Sequence, residues 1–105
     1  MEIPNLNYIN DLSGEDIEFK DKIIEILKKE ITIEKDIYQN SIQSLDYLKT
    51  AEIVHKMKHK ISMIGLEKDY IIAENYEINL KKQAIFLKNE FEEVLQKMEN
   101  YILSL

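Results

Sequence analysis

Residues 47–66 read YLKTAEIVHKMKHKISMIGL, and the spacing of their apolar side chains points to one class of fold. The steps are four, three, four and three residues, the period of a helix that buries one face, at Thr50, Val54, Met57, Ile61 and Ile64. Gly65 follows at once, where helices commonly end in a left-handed residue. A helix is therefore expected from about Tyr47 to this glycine.

The sequence on both sides continues the helical pattern. Before this stretch, a long helix is expected over residues 15–42, with an apolar face formed by Phe19, Ile23, Ile26, Leu27, Ile31, Tyr38 and Ile42. After it, a helix over residues 67–81 has a seam of Leu66, Tyr70, Ala73, position 77 and Leu80. A last helix carries Ala84, Phe91, Val94, Leu95, Met98, Tyr101, Ile102 and Leu105.

A short helix is expected before the long one. One or two turns fit the three-residue spacing of Leu6, Ile9 and Leu12. Ser13 is a candidate cap for the long helix, with Asp16 bonding back from three residues later. Leu12 and Ile17 are expected to form a hydrophobic staple across this helix start.

The composition agrees with an all-α fold. The chain has 105 residues, 45% of them hydrophobic, with two Gly and one Pro, too few for a turn-rich β-sandwich. We expect a single domain over residues 1–105, an antiparallel four-helix bundle with a short extra N-terminal helix. There is no Cys, which excludes a disulfide, a thiolate nucleophile and a cysteine metal site.

Net charge and hydropathy limit the classes of molecule that the chain is expected to bind. Fourteen basic and 20 acidic residues give a net charge of −6, which opposes general binding to nucleic acid or an anionic membrane. No apolar run reaches the ~18 residues of a spanning helix, and the first residues do not resemble a secretory signal. We expect a cytoplasmic location, and a monomer because nothing in the sequence demands a dimer.

The basic residues cluster around the only two histidines, in HKMKHK at positions 55–60. Because each helical residue turns about 100° around the axis, His55 points well away from the apolar stripe. Lys58, His59 and Ser62 fall on the same side as His55, on one partly exposed strip. An ordinary solvated helix face is the alternative interpretation of such a charge run.

Glu77 is the second position that does not suit a plain bundle, because it lies on the inner seam of its helix. His55 lies ten residues before Gly65, and Glu77 lies twelve after it. Neighbouring antiparallel helices that rise about 1.5 Å per residue bring the two to the same height. A carboxylate beside an imidazole fixes its tautomer and orients it. A register error of one would instead turn Glu77 to solvent.

Metal chemistry is a weaker interpretation of the same residues. Glu52 and His55 have the Glu-x-x-His spacing of di-iron bundles, but Lys56 stands where the second pair would need a carboxylate before His59. His55 and His59 could clip Zn²⁺, although two ligands make a weak site and Lys58 repels a cation. We therefore expect no metal site and no cofactor on this chain.

An exposed imidazole nitrogen is also a nucleophile towards phosphorus. Lys58 can neutralise phosphoryl oxygens as a mobile point charge. Residues 51–66 resemble the signature of histidine-containing phosphotransfer (HPt) domains, which is His-x-Leu-Lys-Gly followed by an apolar-Gly pair. The matching positions are His55, Met57 in place of Leu, Lys58, Ile64 and Gly65. Tyr76-Glu77 falls where the family often has a hydrogen-bond acceptor, and the opening segment is matched by Tyr8, Leu12-Ser13-Gly14, Asp16, Glu18 and Phe19.

The resemblance implies a role in a two-component phosphorelay. His55 would accept a phosphoryl group from the aspartate of a response-regulator receiver domain and pass it to another receiver. Lys58 would neutralise its charge, and Glu77 would orient the imidazole. The upstream partner would be a hybrid sensor histidine kinase; Mg²⁺ would belong to the receiver, and no kinase activity of this chain's own is expected.

His59 departs from the family pattern, which has Gly at this position. A bulky imidazole there could crowd the site, add a donor to the phosphoryl group or tilt away, and it forms a partner face with Ser62. The phosphoacceptor is expected to be His55, because the register to Lys58, Gly65 and Glu77 fits only this histidine. The alternatives are an HPt-like module that docks a signalling partner without phosphotransfer, and a generic helical adaptor.

Overall fold

The computed structural model describes residues 2–105. They form five helices: α1 (Asn7–Ser13), α2 (Ile17–Gln43), α3 (Tyr47–Met63), α4 (Glu67–Lys81) and α5 (Lys88–Ser104). No β-strand occurs among the described residues, so the all-α prediction is confirmed. The bounds of α3 and α4 agree with those expected from the positions around Gly65. No helix in residues 2–105 is long and apolar enough to cross a membrane.

The start of α2 differs from the prediction in its capping residue. Asp16, not Ser13, is the N-cap, and its side chain accepts a hydrogen bond from the backbone N–H of Phe19 at 3.0 Å. Ser13 is the last residue of α1, and its hydroxyl donates to the carbonyl of Ile9 at 2.8 Å. A serine whose hydroxyl is bonded backwards into its own helix cannot cap the following one.

Three helices end in the same hydrogen-bond pattern, in which the backbone turns left-handed one residue past the C-cap. After α3 this residue is Gly65, with φ of 78°, as predicted. After α2 and α4 it is Leu45 and Gln83, with φ of 58° and 62°. The next residue in each case donates its N–H to the carbonyl five residues earlier, as Leu66 does to Ile61. The sequence revealed only the end that uses glycine.

The buried face of α2 was predicted wrongly in part. Phe19 and Ile26 are 43% and 54% exposed, whereas Leu27, Ile31 and Tyr38 are buried. The buried positions keep steps of four, three, four and three only if two polar residues are included, giving Leu27, Ile31, Glu34, Tyr38 and Ser41. Because Ile26 lies one residue out of this register, it points about 100° away from the core.

Two further expectations at the helix ends are wrong. Leu12 and Ile17 are 50% and 72% exposed, so they do not form a buried staple. Ala84 precedes α5 and lies in the turn after α4, because the chain turns left-handed at Gln83. The remaining stripe of α5 is confirmed as core at Phe91, Val94, Leu95, Met98 and Ile102.

The core lies between α2, α3, α4 and α5, with Ile9 from α1 joining it. α3 contacts both α2 and α4, while α5 contacts α2 and α4. The residues before α1 cover the turn between α3 and α4. The N–H of Asn5 donates to the carbonyl of Ile64 at 2.9 Å, and the Glu2 carboxylate accepts from the N–H groups of Lys68 and Asp69. This turn fixes how α3 and α4 are aligned.

Candidate functional site

The alignment of α3 with α4 brings His55 and Glu77 together. Nδ1 of His55 lies 3.1 Å from Oε2 and 3.2 Å from Oε1 of Glu77. An ionised carboxylate only accepts hydrogen bonds, so Nδ1 carries the proton and donates it. In the neutral imidazole this contact selects the tautomer with hydrogen on Nδ1, in which Nε2 has the lone pair.

Glu77 is 5% exposed and is the centre of a small charge cluster. Its oxygens accept from Lys58 Nζ at 2.8 Å and Lys81 Nζ at 3.0 Å, in addition to His55. Burial raises the pKa of Glu77, but the hydrogen bonds from Lys58, Lys81 and His55 outweigh this effect and leave the pKa below its usual range. Glu77 is therefore an anion at neutral pH despite its burial.

Lys58 is placed differently from the prediction of an exposed strip. Its side chain is 10% exposed, and Nζ lies between the Glu77 carboxylate and the ring of Tyr70, 5.6 Å from the ring centroid. Burial lowers the pKa of Lys58, but the hydrogen bond to Glu77 and the charge of that carboxylate raise it by more. The pKa of Lys58 is therefore above its ordinary value. The ammonium is a fixed charge bound to the carboxylate that orients the imidazole, rather than a mobile charge at the surface.

His55 itself is on the surface, with its side chain 56% exposed. Within residues 2–105, no hydrogen bond reaches its Nε2 atom. His59 and Ser62 are also exposed on α3, as predicted. The rings of His55 and His59 lie 5.6 Å apart, centroid to centroid, with an angle of 87° between their planes. The site is thus a free imidazole nitrogen in open solvent beside a second imidazole.

Shallow grooves lie on both sides of α3, one beside His55 and one beside His59. The groove between α3 and α4 is mainly apolar beside His55, and its lining residues are Leu48, Ala51, Glu52, His55, Lys56, Glu77 and Lys81. A second groove, between α2 and α3, has an apolar floor that reaches His59, and it is lined in part by Ile23, Ile26 and Met63. Both grooves are open enough for an element of another protein to approach the imidazole.

The residues considered for metal binding are Glu52, His55 and His59. Among residues 2–105, no group of three or more His, Asp or Glu side chains is arranged to hold a metal ion. Glu77, the acidic partner of His55, is instead occupied by two lysines. The di-iron interpretation of Glu52 and His55 therefore has no support from the geometry.

Two contributors to the site were missed from the sequence. Lys81 follows Glu77 by four residues on α4, a spacing at which opposite charges meet on one helix face, and this signal was available. Tyr70 was assigned to the core seam, yet it lies half-buried under the ammonium of Lys58. Its role depends on the path of a flexible lysine, which residue spacing does not describe.

Comparison with known proteins adds nothing to this geometry. A scan against protein-family models, a search of curated proteins and a search of solved structures each found no match.

Proposed function

We propose that this chain is a histidine phosphotransfer protein and that His55 carries the phosphoryl group. The observation that carries the proposal is the pair of contacts between His55 Nδ1 and Glu77, which directs Nε2 away from the carboxylate on a 56% exposed side chain and makes it the lone-pair nitrogen of the neutral ring. A nucleophilic nitrogen needs a free lone pair, a fixed direction and access to the phosphorus atom. All three conditions are met by one side chain.

The transfer step follows from this tautomer. The lone pair of Nε2 attacks the phosphorus of an aspartyl phosphate on a receiver domain. An N–P bond forms, the P–O bond to the aspartate breaks, and its electron pair returns to the aspartate carboxylate. The proton on Nδ1 stays in place, so the ring becomes positively charged while the Glu77 carboxylate 3.1 Å away balances it. Passing the group to a second receiver reverses these bonds.

Lys58 has a supporting role in this scheme. Its ammonium bonds Glu77 at 2.8 Å and so holds the orienting carboxylate in place, and from there its positive charge offsets the charge of the phosphoryl group at longer range, without a direct hydrogen bond. A cation fixed in advance needs no reorganisation when charge develops in the transition state.

The helical arrangement of the proposal is an antiparallel four-helix bundle with α1 as an extra short helix. Side-chain hydrogen bonds between α2 and α5 support it. In antiparallel helices, a later residue on one helix contacts an earlier residue on the other. Between α2 and α5, Lys35 bonds Glu99 while Tyr38 bonds Glu92. Such a bundle presents the middle of α3 to an approaching domain.

The partners in this proposal are response-regulator receiver domains and a hybrid sensor histidine kinase, with Mg²⁺ held by the receiver. The apolar groove beside His55 would accept a surface element of the receiver and bring its aspartyl phosphate to Nε2. A monomer in the cytoplasm is the state expected for such a carrier.

The test is transfer from a panel of receiver domains that carry a labelled phosphoryl group. We expect label on this chain in an acid-labile, alkali-stable form. His55→Gln is expected to abolish it. His59→Gln is the matched control one turn away, and it should still be labelled. Label on His59 in the His55→Gln variant would refute the assignment of the phosphoacceptor.

A second candidate function is docking without phosphotransfer. The observation that favours it is the imidazole of His59, 5.6 Å from His55, where the resembling family has glycine. In that case a receiver domain would bind the grooves beside His55 with no transfer of label, which calorimetry combined with the labelling assay detects.

A further inference from the structure

Lys58 is the cation expected to neutralise the phosphoryl group, but its ammonium is bound to the carboxylate that orients His55. Lys58 lies on the Glu77 side of the imidazole, 10% exposed, with Nζ held by the carboxylate at 2.8 Å. Lys81 donates to the same carboxylate at 3.0 Å. Both ammonium groups are therefore held by the carboxylate that Nδ1 contacts, which leaves a phosphoryl group on Nε2 without an assigned hydrogen-bond donor.

His59 is the side chain placed to supply it. Its ring centroid is 5.6 Å from that of His55, one helical turn along α3, and the two planes are nearly perpendicular. The residue is exposed, and within residues 2–105 neither ring nitrogen forms a hydrogen bond. An exposed imidazole that has no protein partner exchanges only hydrogen bonds with water when it turns towards a new acceptor.

We propose that His59 donates an N–H hydrogen bond to an oxygen of the phosphoryl group carried on Nε2 of His55. This inference rests on the proposed function and assigns a catalytic residue that the resemblance does not contain. A neutral imidazole has one N–H donor, which suffices for one phosphoryl oxygen. In the transfer step only the N–P and P–O bonds change, and His59 keeps its proton throughout.

The N–H donor of His59 is expected to speed transfer because negative charge lies on the phosphoryl oxygens in the transition state. During phosphoryl transfer, negative charge is spread over the three non-bridging oxygens of the moving group. A donor already placed beside them stabilises the transition state in both directions of transfer. His59 is a better candidate than Ser62, because Ser62 lies a further three residues from His55 along α3. Lys56, the residue next to His55, points about 100° around the helix.

The experiment compares three substitutions of His59 that separate donation from bulk. His59→Gln keeps an N–H donor of similar reach, His59→Leu keeps bulk without a donor, and His59→Ala removes both. Each protein is phosphorylated with phosphoramidate, a small donor that needs no docking surface, and phosphohistidine is followed by ³¹P NMR. Transfer from a phosphorylated receiver domain forms the second arm, and thermal melts check folding.

We expect the Leu and Ala variants to acquire phosphoryl groups about three- to tenfold more slowly, the loss expected for one hydrogen bond. The Gln variant should stay within about twofold of the wild type. Melting temperatures should not differ beyond the scatter between replicates, because His59 is exposed and makes no hydrogen bond within residues 2–105.

Other results overturn the inference. Faster labelling of the Ala variant would mean that His59 obstructs the site, and equal rates in all four proteins would mean that it has no part in transfer. If no receiver domain transfers its phosphoryl group while phosphoramidate still labels His55, the proposed function is wrong. The phosphoramidate rates of the variants would still decide the role of His59. Failure of phosphoramidate to label His55 would overturn both.

Discussion

Nδ1 of His55 is within 3.2 Å of both oxygens of Glu77, and the same carboxylate binds Lys58 and Lys81. One buried anion thus orients an exposed imidazole and forms ion pairs with two lysines. Its removal should affect both the site and the stability of the fold.

Replacement of Glu77 by Ala should slow phosphoryl transfer without abolishing it. The imidazole keeps its nucleophilic nitrogen but loses its fixed direction, for which we expect a loss of about ten- to a hundredfold. Lys58 also becomes a buried cation without a partner, and we expect the free energy of unfolding to fall by about 3 kcal/mol. Transfer kinetics and urea unfolding measure the two effects.

Glu77→Gln is the matched variant for this test. It retains the size of the side chain and one acceptor oxygen, so its transfer rate should lie between those of the wild type and Glu77→Ala. A transfer rate equal to that of the wild type in both variants would contradict the orienting role.

The pH dependence of stability should report the same carboxylate. The pKa of Glu77 in the folded protein is below its ordinary value of 4.5. Its stabilising contribution is therefore complete above about pH 4.5 and is lost as the pH falls through the depressed native pKa. Thermal melts of the wild type and Glu77→Gln at falling pH should show a difference that shrinks in acid. A difference that stays constant down to about pH 2 would contradict this assignment.

A second buried ion pair, between α2 and α3, should behave as a coupled unit. Lys60 Nζ binds Glu34 and Glu30, each at 2.9 Å, and the second oxygen of Glu34 is buried without a hydrogen bond. Lys60→Met leaves Glu34 as an uncompensated buried charge, so we expect a loss of about 3–5 kcal/mol in unfolding free energy. Combining Lys60→Met with Glu34→Leu should recover most of that loss.

Urea unfolding of the two single variants and the double variant gives the coupling directly. Glu30→Ala is the control, because the Glu30 side chain is 49% exposed and its pair with Lys60 should contribute under about 1 kcal/mol. Additive effects of Lys60→Met and Glu34→Leu would contradict a coupled pair.

Substitutions at the three left-handed helix ends should change the free energy of unfolding in opposite directions. Leu45→Gly and Gln83→Gly should each raise the unfolding free energy by about 0.5 kcal/mol, because relief of backbone strain exceeds the added freedom of the unfolded chain. Gly65→Ala should lower it by about 2 kcal/mol or more, since its Cβ would lie 2.5 Å from the Asn5 side chain. Urea unfolding measures all three. A destabilised Leu45→Gly would show that the exposed leucine contributes packing that its 68% exposure does not suggest.

The sequence predicted the parts of the fold that depend on backbone periodicity. Gly65 marked the end of α3 because a left-handed residue without a Cβ is the favoured terminator. Counting outward from it placed His55 opposite Glu77, since both helices rise by the same distance per residue. Leu45 and Gln83 end helices in the same way, but nothing in their chemistry signals a left-handed turn.

The remaining errors concern polar side chains whose positions are set by tertiary contacts. Glu34 occupies a core position that an apolar pattern skips, because Lys60 from another helix compensates its charge. Helical geometry gave the direction in which the Cβ of Lys58 leaves the helix. Its four-carbon chain then bends towards Glu77, and no count of residues describes that bend.

Asn5 packs on the turn at Gly65, and this turn sets the position from which the residues of both α3 and α4 are counted. His55 and Glu77 are 22 residues apart, and every one of those positions contributes to their meeting. One extra residue on either side of the turn would rotate His55 or Glu77 by about 100° around its helix and break the hydrogen bond between them. Lengthening the chain between α4 and α5 would leave this spacing untouched. The segment from 55 to 77 therefore behaves as a molecular ruler, because any change in its length misaligns the pair.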